Sequence, residues 1–171
     1  MAILPILKIG HPVLVRPADP VENIDEELVR LAADMIQTMH SAPGVGLAAP
    51  QVNVSCRLIT VDLSIGENPE EIIVLINPAI IESEGEETEE EGCLSVPEVR
   101  EKVTRPARVL VKGVDLAGQE RLYEARDITA RVFCHELDHL NGLLFIDHLS
   151  SLKKSLIKKR MKRKMEKGEL I

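Results

Sequence analysis

Residues 134–142 read CHELDHLNG, with two histidines four apart and a glutamate directly after the first. On an α-helix that spacing is about one turn, so the imidazoles of His135 and His139 leave one face together and can grip a single ion. Glu136 is rotated roughly 100° from His135, close to such an ion without being obliged to bind it. A general base for an activated water belongs there. The competing reading is a charged surface helix. A catalytic tetrahedral site needs a third protein ligand and keeps one position open. Cys93, in EGCLS, is the candidate, because Gly92 allows close backbone approach and a thiolate is a strong soft ligand. The alternative for Cys93 is a small buried core residue, the commonest fate of a free cysteine. Cys134 is rotated away from His139, and Cys56 opens an apolar strand, so both read as packing. Asp138 reads as support behind the ligands or as surface.

A second stretch with chemical potential is GVGLAAPQ, residues 44–51. Gly44 and Gly46 permit unusual backbone angles or close ligand approach. The Gln51 amide can donate to an oxyanion. Taken alone the stretch is also a glycine turn before a strand. It is not a phosphate loop, since no Lys-Ser/Thr follows at the required spacing.

These groups need elements to hold them. Asp25 can cap a helix over residues 26–40, with Leu28, Leu31, Met35 and Met39 at helical spacing. Branched residues predict a strand over 57–62, and strands at 72–76 and 79–82 broken at Asn77-Pro78. Residues 108–115 and 119–126 form a predicted hairpin. Asp127 can cap a helix over 128–140 that Asn141-Gly142 ends, and a last helix starts near Ser150 or Ser151 and runs to Gly168. The order predicts one α+β domain, with mixed or antiparallel strands around a central metal-binding helix and a helical tail.

The chain has 171 residues, 44% hydrophobic and 29% charged, which fits one globular domain with its own core. No apolar run is long enough to span a bilayer, and the N-terminus lacks the marks of a signal peptide. Three cysteines cannot build a disulfide framework, so a cytoplasmic setting is expected. The net charge is −7, yet residues 151–171 carry nine Lys/Arg against two Glu. The body is therefore strongly acidic, with much of its acid in EGEETEEEG at 84–92, and the tail is a basic appendage. Leu149, Leu152 and Leu156 predict docking of the tail's first turns. Residues 158–164, with Met161 their sole apolar member, read as too cationic to bury.

GVGLAAPQ, EGCLS and HELDH, in that order and spacing, resemble the three signature motifs of the peptide deformylases. The likeness covers most of the chain, from GHPVLVRPA to HLNGLLFIDHL. It implies a metallohydrolase that removes the N-formyl group from the initiator methionine of new proteins and releases formate. By position, Cys93, His135 and His139 match the family's metal ligands and Glu136 its acid/base. Gln51 and the N–H of Leu94 match the oxyanion donors. Gly44, Val45, Gly46, Glu91 and Gly92 match segments that pair with the substrate backbone, and Arg100 a position reaching the far end of the peptide. Three departures, Cys134 where Gln is frequent, Pro43, and Asn53 where Gly is frequent, touch packing and entrance shape only.

The resemblance further implies one divalent ion per chain, Fe²⁺ in cells, with Zn²⁺, Ni²⁺ or Co²⁺ as substitutes. The partners it implies are N-formylmethionyl nascent peptides and, through residues 149–171, the ribosome; residues 1–148 are then the catalytic unit. No membrane and no sequence-specific nucleic acid enters this reading. Two rivals remain. A zinc peptidase of the His-Glu-x-x-His type would take its third ligand downstream, where only His148 fits loosely. A nucleic-acid module with a structural metal draws its support from the basic tail.

Overall fold

The elements run α1 (Glu26–Ser41), β1 (Gly46–Ala48), β2 (Leu58–Val61), β3 (Ile73–Glu84), β4 (Glu87–Cys93), β5 (Val96–Arg105), β6 (Arg108–Val114), β7 (Glu120–Arg126), α2 (Asp127–Leu140) and α3 (Ser151–Glu166), in a computed structural model that describes residues 1–169. Five antiparallel strands form one sheet in the order β1-β2-β3-β6-β7, and β4 pairs with β5 as a separate hairpin. The architecture is α+β, as the element order predicts.

β2 is buried along its whole length because helices cover both faces of the sheet. Leu58 packs with Leu28, Met35 and Met39 of α1, while Ile59 and Val61 pack with Phe133, Leu137 and Leu140 of α2. This is the two-residue alternation of a strand expressed as two cores. α1 begins where Asp25 accepts the Leu28 N–H at 2.9 Å. α2 ends at Asn141, where Leu143 N–H reaches the Asp138 carbonyl and Gly142 takes φ of 76°. A Cβ on Gly142 would lie 2.8 Å from the Val15 backbone, so only glycine fits the turn.

Four features depart from the sequence reading. β3 is one strand, because Asn77 and Pro78 form a bulge rather than a break. Asn77 has φ of 51° and exchanges side-chain hydrogen bonds with the Val21 backbone, which accommodates the missing N–H of Pro78. Asp127 does not cap α2. β7 enters the helix with no linker, and the Asp127 N–H is tied to the Ala107 carbonyl at 2.9 Å. The acidic run, expected only as a biased stretch, builds β4. Lastly, α3 docks on a different face from the one its leucines suggest. Leu149, just before the helix, packs against the body as expected, but Leu152 and Leu156 are exposed, whereas Ile157 and Met161 are buried against Val96, Val99, Val103, Phe145 and Ile146. Met161 is buried because Lys164 turns to Glu98 and the other cations of its turn project away from the contact.

Candidate functional site

α2 turns two faces to two partners. Ala130, Phe133, Leu137 and Leu140 face the sheet, and His135 and His139 meet the β4–β5 hairpin that carries Cys93. Cys93 Sγ lies 3.3 Å from His139 Nε2, which lies 3.3 Å from His135 Nε2. Of the described residues, these three form the group of donor atoms able to hold a metal, all within 4.8 Å of one another. Two nitrogens each about 2.0–2.1 Å from a shared tetrahedral ion stand about 3.3 Å apart, so the donors fit one ion. One thiolate with two imidazoles is also a chemically suitable set.

The electrostatics support the same state. Burial pushes the Cys93 thiol up, but the neighbouring imidazoles of His139 and His135 outweigh it and hold the group well below its usual range, as thiolate. His135 Nδ1 donates to Glu91 Oε2 at 2.7 Å, which aims Nε2 at the centre. Burial would raise the Glu91 carboxyl, yet hydrogen bonds from His135 and Arg105 keep it well below the ordinary carboxylate range. His139 Nδ1, by contrast, is buried without a hydrogen-bond partner.

Glu136 is buried, and its Oε2 has no hydrogen-bond partner. Burial raises its carboxyl, while the His135 and His139 imidazoles pull the other way without cancelling the rise. Gly46 is what admits this side chain, because a Cβ there would lie 2.5 Å from Glu136 Oε1. The Gln51 amide nitrogen stands 3.8 Å from Cys93 Sγ and donates to Ser95 Oγ at 3.1 Å; its oxygen accepts from the Ala48 N–H at 3.0 Å. The Gln51 side chain is thus locked with its donor end toward the sulfur.

A cavity of about 710 Å³ opens over these groups, bordered by Gly44, Val45, Gly46, Gln51, Leu94 and Glu136. Both strands along it are edges, β1 of the main sheet and β4 of the hairpin. Ile128 and Val132 of α2 add an apolar wall, and Arg100 stands at the mouth, largely exposed, 3.7 Å from Glu90. Every candidate named from the sequence except His139 lines this cavity, and His139 lies directly behind His135. His148, the loosely fitting downstream ligand, is not in the donor group and bonds Asp138 instead.

Sequence reasoning overlooked the side chain of Glu91, and with it Ser95, Arg105 and Arg131. Arg105 holds Glu91 through two hydrogen bonds, and Arg131 adds a third at 3.0 Å. Arg105 and Arg131 lie 14 and 40 residues beyond Glu91, so no local sequence signal pairs them with it and only the fold does.

A family model for polypeptide deformylase matches residues 3–155. The peptide deformylase of Acidobacterium capsulatum is 48% identical over 169 residues, 99% of each chain. That of Thermodesulfovibrio yellowstonii is 49% identical over 164 residues, covering 96% of this chain and 99% of the relative. The crystal structure of a peptide deformylase from Legionella pneumophila superposes with a TM-score of 0.91 at 42% identity over 96% of both chains. One from Ehrlichia chaffeensis in complex with actinonin gives 0.89 at 34% identity, covering 96% of this chain and 98% of that one.

Proposed function

The chain belongs to the polypeptide deformylase family, metal-dependent hydrolases that take the N-formyl group off newly made peptides, and from that premise we propose which of its residues do the work. Cys93, His135 and His139 hold the metal, Glu136 moves the proton, and Gln51 Nε2 with the Leu94 N–H receives the formyl oxygen. The observation that carries this reading is the convergence of three donor atoms beside a buried, unpartnered carboxylate, in a cavity bordered by two strand edges.

Bound there, a divalent metal supplies the Lewis acidity that makes water nucleophilic near neutral pH. Gly44, Val45 and Gly46 on one side, and Glu91 and Gly92 on the other, offer backbone groups to an extended peptide as added strands do. The methionine side chain enters against Ile128 and Val132, and Arg100 contacts the far end of the peptide. Gln51 and the Leu94 N–H donate to the oxygen as its charge grows. Glu136 accepts the proton of the attacking water and returns it to the departing amine, so formate and a free α-amine result. The working ion we assign from the family is Fe²⁺, with Zn²⁺, Ni²⁺ and Co²⁺ able to replace it; by donor affinity alone Zn²⁺ would bind more tightly. Formyl-methionyl peptides are expected to be cleaved and their unformylated counterparts left intact. Cleavage of an internal peptide bond at comparable rate would return the site to an ordinary peptidase.

We also propose residues 1–148 as the catalytic unit, working in the cytoplasm, with 149–171 as an attached basic segment whose helix α3 docks on ribosomal RNA phosphate. Among the described residues no helix is long and apolar enough to cross a membrane. The exposed cations Lys158, Lys159 and Arg163 support the docking reading. Removing the helix is a poor test, because Ile157 and Met161 belong to a core cluster. Changing Lys158, Lys159 and Arg163 to Glu should weaken co-sedimentation with ribosomes at low salt and flatten its salt dependence by about one unit of slope per lost phosphate contact. Hydrolysis of short formyl-peptides should stay at the parental rate. Parental co-sedimentation of this variant would leave the helix a solvated surface.

A further inference from the structure

We propose that Asp138 and His148 are positioning residues for His135, acting on it through Arg105 and Glu91. The inference rests on His135 being a metal ligand.

The chain of contacts is continuous. His135 Nδ1 donates to Glu91 Oε2 at 2.7 Å, and the Arg105 guanidinium forks onto the same carboxylate, Nε to Oε1 at 3.1 Å and Nη2 to Oε2 at 2.7 Å. The remaining arm, Arg105 Nη1, donates to Asp138 Oδ2 at 2.6 Å. His148 Nε2 lies 2.7 Å from that same oxygen. An ionised carboxylate only accepts, so His148 Nε2 carries the hydrogen and donates it. Side-chain exposure rises outward along this path, from 6% at Glu91 and 4% at Arg105 to 17% at Asp138 and 37% at His148.

Charge counting explains why the outer pair matters. Arg105 and Arg131 both bond Glu91, so one carboxylate faces two buried guanidiniums. Asp138 supplies the second negative charge. Without it a net positive charge remains behind His135, on its Nδ1 side, where it opposes the cation held at Nε2, and Arg105 loses the anchor that fixes its fork. Asp138 does not line the cavity; it borders a second cleft, with Arg57, Cys134, Asn141 and His148, that opens to solvent. The His148 ring, on the turn Phe145–His148 after α2, closes the outer end of the path.

The test uses the full chain loaded with Co²⁺, following its visible absorption and its release to excess chelator. Asp138→Asn should release Co²⁺ roughly tenfold faster, the lower end of the ~10–100-fold cost of losing a partner behind a metal ligand. His148→Ala should release it a few-fold faster. His148→Gln, whose amide can still donate to Asp138, should restore the parental rate. In Asp138→Asn and His148→Ala the visible absorption per bound Co²⁺ shifts with the orientation of His135, a change that loss of folded protein would not produce, and His148→Gln restores the parental spectrum. Parental release and absorption in folded Asp138→Asn and His148→Ala would overturn the proposal. If Asp138→Asn does not fold, the half-exposed His148→Ala decides alone. Failure of the parent chain to take up Co²⁺ would instead sink the ligand assignment itself.

Discussion

Glu136→Gln is expected to keep its metal and lose about 10²–10⁴-fold in turnover, the usual contribution of a positioned acid–base group. The substitution preserves shape, so the contact with Gly46 and the packing of α2 survive. What disappears is a carboxylate whose Oε2 has no other partner and whose burial raises its proton affinity above that of an exposed glutamate. That rise suits a group asked both to accept a proton from water and to give it to an amine. Because Glu136 lies outside the three-donor group, metal content should match the parent. Metal analysis and kcat on the same preparation decide the matter, and near-parental turnover would remove Glu136 from the mechanism.

Much of this site is legible along the chain because its groups come from short stretches with local rules. HELDH on a helix needs only the 3.6-residue period to bring two imidazoles together, and the Asp25 cap and the Asn141-Gly142 stop are equally local. The β4–β5 hairpin is not legible in this way. β4 carries four acidic residues among seven and no apolar alternation, so its strand character comes from pairing with β5 and from the burial of Glu91 alone on its inner side. A buried carboxylate is stable only with partners, and those partners, Arg105, Arg131 and His135, lie 14, 40 and 44 residues away. No window of sequence contains that arrangement.

The tail teaches the same lesson from the other side. Helical spacing alone offers two apolar stripes on α3, Leu152-Leu156 and Ile157-Met161, and nothing local chooses between them. The choice is made by β5 and the turn at Phe145–His148, whose Val99, Val103 and Phe145 present a surface to Ile157 and Met161. Glu98 and Glu101 then meet Lys164 and Lys153 at the rim. Exposed pairs of this kind contribute little, so the apolar contact sets the orientation and the charges refine it.

Cys93→Ala is expected to lose metal and activity together, whereas Cys134→Ala and Cys56→Ala keep both. The three thiols differ in environment rather than in chemistry. Burial pushes Cys134 and Cys56 up to about 11, so both stay protonated and inert at neutral pH. Cys134 packs in the core between α2 and the sheet, and its replacement by the smaller alanine costs stability without touching the donors. Only Cys93 sits within 3.3 Å of an imidazole that favours its thiolate. Removing it takes away a charged ligand outright, so affinity should fall by more than the roughly 10–100-fold that loss of a group behind a ligand costs. The two histidines that remain cannot hold the ion in the orientation that Gln51 and Glu136 serve. Metal content per chain, measured beside the hydrolysis rate for all three variants, separates the roles. A Cys93→Ala protein with parental metal content would show that the ion is held elsewhere, and the convergence of sulfur and two nitrogens would then be packing.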